Sequence, residues 1–181
     1  HNYLDLLTSL RPQIMKRILF STLVFSFLVS ACSNDDSDVS SVEGVWKLVA
    51  YNVAEGFDIN NDGIKSVNIL EEIECVNNEV LVFESTGVVS THFSFNPEIQ
   101  IYRLNEVTNE YAFNVECDIE GVISYASSYS QKGNTITFNN HKASVADNQL
   151  LLVFEDAIEI FNSDFTIVLA REDLTLVYSK Q

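Results

Sequence analysis

The chain has 181 residues, 46% of them hydrophobic, with 26 acidic against 10 basic side chains and a formal net charge of −16. That length is enough for one domain with a sizeable core. So acidic a surface repels phosphate backbones, which excludes nucleic acid as a partner.

Residues 1–14 (HNYLDLLTSLRPQI) precede the only methionine, Met15, and are expected to be an upstream leader without function. Lys16 and Arg17 then open a positive patch, followed by an apolar run over residues 18–29. The run is shorter than the roughly 20 residues a spanning helix needs, so residues 15–31 read as a signal peptide. Val29-Ser30-Ala31-Cys32 resembles a bacterial lipobox, where small residues let a peptidase close around the backbone beside the sulfur. Cys32 is therefore expected to carry covalent lipid. Each buried methylene contributes about 0.8 kcal/mol, and more than one acyl chain holds a protein stably on a membrane. The membrane partner is reached through that anchor, and the location is the cell envelope. Residues 32–41 are polar and acidic, a flexible tether. They resemble the acidic export signals that follow the cysteine in surface lipoproteins of Bacteroidota, which points to the outer membrane, on its periplasmic or its outer face. Leader and signal peptide hold three basic residues and one acidic one, so the mature chain is more acidic still.

The folding part is residues 42–181. Residues 42–54 (VEGVWKLVAYNVA) form a strong strand. A long loop follows, with one short helix over residues 66–74 that puts Ile69, Leu70 and Ile73 on one side and Ser66 at its N-cap. Residues 79–95 hold two more strands around the turn Ser85-Thr86-Gly87. Residues 96–110 are polar, contain Pro97 and read as an excursion, and residues 111–116 read as another strand. After Gly121, turn-like groups recur about every eight residues, the interval of hairpin-joined strands. They are Lys132-Gly133, Asn139-Asn140, Asp147-Asn148, Glu155-Asp156, Asn162-Ser163-Asp164 and Arg171-Glu172-Asp173. Ile136 and Phe138 alternate with threonines, as Leu174, Leu176 and Tyr178 alternate with Thr175, Val177 and Ser179, so one face is buried and one wet. Such a meander hides its edges best by closing into an antiparallel barrel.

With Cys32 lipidated, Cys75 and Cys117 remain, and an oxidising compartment pairs them in one disulfide. In the first long loop, Asp58, Asn60 and Asp62 place oxygens at positions 1, 3 and 5 of a calcium-type loop. Gly63 at position 6 allows the sharp turn, and the carbonyl of Ile64 adds a ligand. The usual glutamate at position 12 is replaced by Ile69, so Glu72, or Glu71 beside it, must supply the last carboxylate. The same residues also make a plain Asx-rich turn without an ion. A structural Ca2+ here would pin one end of a lid over the barrel mouth, with Cys75–Cys117 pinning the other. No nucleophile elbow, P-loop or dinucleotide fingerprint is present, and His92 and His141 lack ligand spacing, so no enzyme is expected. Glu71, Glu72 and Glu74 read as a solvated helix face, and Phe83, Phe93 and Phe95 as core.

Gly44-Val45-Trp46 resembles the G-x-W signature of lipocalins, with Trp46 closing one barrel end. Lipobox, acidic tether, G-x-W strand, the segment DINNDGIKSVNILEEIECVNNEVLVF and the final strand LTLVY together resemble the lipocalin-like lipoproteins of Bacteroidota. The resemblance covers most of residues 42–181. It implies an all-β fold, an antiparallel up-and-down lipocalin-like β-barrel of about eight to ten strands with one short helix in the first long loop. Lipocalins also carry a T-D-Y motif, which is missing here, and an arginine over the signature tryptophan. Arg171 is the candidate for that arginine, although it precedes the last strand. Two functions follow. One is binding of a small hydrophobic or amphipathic ligand in the barrel. The other is a structural or interaction module of the outer membrane with a filled barrel, whose protein partner the sequence does not identify.

Overall fold

A computed structural model describes residues 41–105, 110–117 and 124–181. Cys32, where lipid is expected, the expected signal peptide and nearly all of the expected tether lie outside the described residues. The described residues are all-β, with eleven strands. They are β1 (Gly44–Phe57), β2 (Ser66–Asn68), β3 (Val80–Phe83), β4 (Val88–Thr91), β5 (Glu98–Asn105), β6 (Glu110–Glu116), β7 (Tyr125–Lys132), β8 (Thr135–Phe138), β9 (His141–Ala146), β10 (Gln149–Phe161) and β11 (Val168–Lys180). Eight of them pair in the ring order β1-β3-β4-β7-β8-β9-β10-β11 and back to β1, all antiparallel. This is the closed up-and-down barrel expected of the meander. The remaining strands, β2, β5 and β6, stand outside the ring.

The barrel closes between its first and last strands, with Trp46 opposite Lys180 and Asn52 opposite Thr175. Its turns use residues that tolerate a left-handed backbone. Asn139, Asn140 and Asp147 all have positive φ, and small polar side chains pay little sterically there. Gly44 enters β1 at φ 125°, which excludes a side chain, and a Cβ there would also lie 3.2 Å from Lys180 Cε.

Inward residues alternate along the strands, and most are fully buried. Trp46, Leu48, Leu81, Phe83, Ile136, Leu150 and Tyr178 are each no more than 2% exposed and belong to one apolar cluster. Trp46 donates its Nε1–H to the carbonyl of Val42 at 2.7 Å. The cation over its ring is Lys180, with Nζ 5.4 Å from the centroid. Arg171 does not take that place. It makes a surface ion pair with Glu159 at 2.7 Å, because residue 171 lies far along β11 from the Trp46 end.

Three expected elements differ. The helix over residues 66–74 is a single 3-10 turn at Ile69–Glu71, capped by Asn68 rather than Ser66. Asn68 Oδ1 accepts from both Tyr51 N and Leu70 N, so pairing with β1 takes the residues that would have begun a helix. The groups Glu155-Asp156 and Arg171-Glu172-Asp173 are not turns. They face each other inside the β10–β11 ladder as a bulge, where Asp156 N donates to Asp173 Oδ1 at 3.0 Å. Four expected short strands are therefore two long ones.

The third difference is the excursion. It is a hairpin, β5–β6, and its Ile101 and Tyr102 pair in parallel with Ile160 and Phe161 at the far end of β10. The long strands β1, β10 and β11 thus extend past the barrel, and β2, β5 and β6 add to the extension. In this upper storey Phe57, part of the same apolar cluster as the barrel residues, meets the rings of Tyr111 and Phe113 edge-on at 5.3 and 5.7 Å. The Cys75–Cys117 disulfide joins the segment after the 3-10 turn to the residue following β6.

Candidate functional site

Two places gather chemistry. The first is the seam between the β1–β2 loop and β6 in the upper storey. Phe57 and Ser66 pair as the last rung of the β1–β2 ladder, so residues 58–65 form a closed loop. Within it Asp58 Oδ2 accepts from Gly63 N at 3.0 Å, Asn60 Oδ1 from Asp62 N at 2.9 Å and Asp62 Oδ1 from Ile64 N at 2.8 Å. Asn61 and Gly63 have φ of 60° and 88°, which lets the chain curl around its own side chains.

Glu72 reaches back to this loop from just beyond the 3-10 turn. It is 5% exposed, and its Oε2 accepts from Ile59 N at 2.9 Å and Asn60 N at 3.4 Å. Glu71 instead takes hydrogen bonds from Ser66 and Asn68. Of the two neighbouring glutamates, only Glu72 is bonded to the loop backbone; Glu71 is exposed at the end of the 3-10 turn and Glu72 is buried beyond it, so the expected solvated face does not include Glu72. Asp58, Asn60, Asp62 and Ile64 thus share one closed loop, and Glu72 holds the backbone of that loop at residues 59 and 60. Among the described residues, no three His, Cys, Asp or Glu side chains form a ready metal centre.

Between this loop and β6 lie two clefts. One, of about 400 Å³, has Ile59, Ile73, Phe113 and Val115 as apolar walls and Glu72 and Glu74 at its rim. The other, of about 250 Å³, also touches Phe113 and is lined by Phe57, Tyr111, Lys65 and Glu110. The larger falls within the usual size of small-ligand sites. The sequence order hides this seam, because it joins residues 57–74 to residues 110–117.

The second place is inside the barrel, around a residue that the sequence reading passed over. Glu79, just before β3, is 7% exposed. Its carboxylate accepts the Tyr178 hydroxyl and the Phe95 N–H, the latter at 2.7 Å. Burial pushes its pKa above the usual carboxylate value, and the two hydrogen bonds pull it part of the way back. Burial and the nearby Glu79 charge push Tyr51 and Tyr125 up to about 12, and Tyr178 higher still. A carboxylate just before the apolar run Val80–Phe83 was the available sequence signal.

The raised Glu79 pKa has a measurable sign. Its protonated form favours the folded state, and that contribution is lost as pH climbs from the unfolded value of about 4.3 through the folded one. Glu79→Gln, which can still accept from Phe95 N–H, should match the wild type near pH 4 and melt at a higher temperature at pH 7–8. Thermal unfolding of both proteins across that range checks it. Parallel pH profiles would show that Glu79 titrates normally.

The remaining candidates scatter. His92 is exposed, and His141 packs edge-on to Phe154 at 4.8 Å. Phe83 is core and Phe95 packs on Tyr51, but Phe93 is half exposed. Among the described residues no helix is long and apolar enough to cross a membrane. No protein-family model, curated protein or solved structure matches the chain.

Proposed function

We propose that this protein is a non-enzymatic binding module, lipid-anchored through Cys32 at the outer membrane, with its barrel as scaffold and its recognition surface in the upper storey. One observation carries the reading. The inward positions of the barrel are filled by large side chains, with Trp46, Leu81, Ile136 and Leu150 at 0% exposure. An eight-stranded barrel is just wide enough for side chains to fill it. The cleft beside Phe113 offers apolar walls and an acidic rim, which suits a small amphipathic ligand.

A second reading, a small amphipathic cargo inside the barrel as in lipocalins, has one observation in its favour. The wall made by β7 alternates between exposed and half-buried residues and contains no fully buried one. Tyr125, on that wall, stands near the Glu79 carboxylate.

Native mass spectrometry of the protein offered envelope lipid extract separates the two. The scaffold reading expects acyl mass that Cys32→Ser abolishes and, for any adduct, loss of binding on Phe113→Ala. An adduct that survives Phe113→Ala and slows hydrogen exchange along β7 would replace it with the cargo reading.

A further inference from the structure

We infer that the loop between β1 and β2 binds one calcium ion, held by Asp58, Asn60, Asp62, the Ile64 carbonyl and Glu72. The alternating oxygens raise the idea, and two carboxylates carry it. Glu72 is 5% exposed. Its Oε2 takes two backbone amides, and no described base forms an ion pair with it. The residue also lines the larger cleft. Asp58 Oδ1 is buried and has no hydrogen-bond partner. Asp58 as a whole is half-buried, but a carboxylate oxygen buried without a partner is costly, as is the buried Glu72 without a cation, and together they call for one. The intraloop hydrogen bonds leave this oxygen free, since Gly63 N uses Oδ2.

The donor set selects the ion. It contains only oxygens, from carboxylates, a side-chain amide and a main-chain carbonyl, which suits a hard cation with six to eight ligands in flexible geometry. Soft or imidazole-seeking metals find neither histidine nor free thiol here, because Cys75 is in the disulfide. The position usually held by a bidentate glutamate is Ile69, which is fully buried in the core. Glu72 takes over its task from the far side of the 3-10 turn. The ion therefore ties the loop to that turn, and both form one wall of the cleft.

The test uses the protein purified without chelator. One calcium per chain, released by EDTA, is expected from elemental analysis. Calcium at ten times its dissociation constant should raise the melting temperature by about 5 °C. Glu72→Gln and Asp58→Asn should abolish that rise, while Glu71→Gln keeps it. Should either variant fail to fold, hydrogen exchange of the wild type decides. Removing calcium should speed exchange across residues 57–78 and leave β8 and β9 unchanged. No chelator-releasable calcium, with equal melting in EDTA and in about 10 mM calcium, well above the weakest extracellular modules, would overturn the inference. So would a calcium response lost in Glu71→Gln but kept in Glu72→Gln.

Discussion

Replacing Trp46 by alanine should destabilise the protein by about 3–5 kcal/mol, the largest single loss expected anywhere in the barrel. Trp46 is fully buried, fixes the incoming chain through Val42 and lies under Lys180. It therefore joins the entry of β1 to the last residues of β11. Truncation opens a cavity there and leaves the Val42 carbonyl without its donor. Trp46→Phe isolates the second effect and should cost much less, about 1 kcal/mol for the hydrogen bond plus the smaller ring. Trp46 is the only tryptophan, so urea unfolding has to be followed by circular dichroism. The midpoint should fall with little change in slope. A loss under 1 kcal/mol for the alanine variant would show that the barrel end collapses around the gap.

The second large effect belongs to the disulfide. Cys75 and Cys117 are 42 residues apart, and closing a loop of that length stabilises by about 4 kcal/mol in the chain-entropy estimate. The double variant Cys75→Ser, Cys117→Ser should lose about 2–4 kcal/mol. The loss should be uneven. Hydrogen exchange should rise across residues 57–78 and β6, since the bond links these two segments, while β8 to β10 keep their protection. Uniform loss of protection would mean that the upper storey and the barrel unfold as one cooperative unit.

The cysteines were legible because two thiols in an oxidising compartment have one simple pairing. The barrel was legible because Ile136 and Phe138, or Leu174, Leu176 and Tyr178, repeat at the period of a strand. The bulge was misread for a physical reason. Asp156 adopts φ 54°, so the residue types that make turns also make a bulge, and local chemistry cannot separate them. The residue 66–74 segment has helical apolar spacing, but that spacing serves burial of Ile69 at the end of a strand pairing. The clefts and Glu79 depend on contacts between distant segments. Glu79 and Tyr178 are 99 positions apart, and no local pattern carries that distance.

The parallel contact between β5 and β10 has a consequence for how the chain assembles. Ile101 can dock only after Ile160 has been delivered, and the ring itself waits for Lys180 to reach Trp46. Pairings so remote in sequence make folding slow, because loop-closure entropy must be overcome before any contact rewards it. The β5–β6 pairing is local, whereas the β5 edge is covered only once β10 has been made. Between synthesis of β6 and arrival of β10 that edge is uncovered, and an unpaired strand edge is a ready template for aggregation.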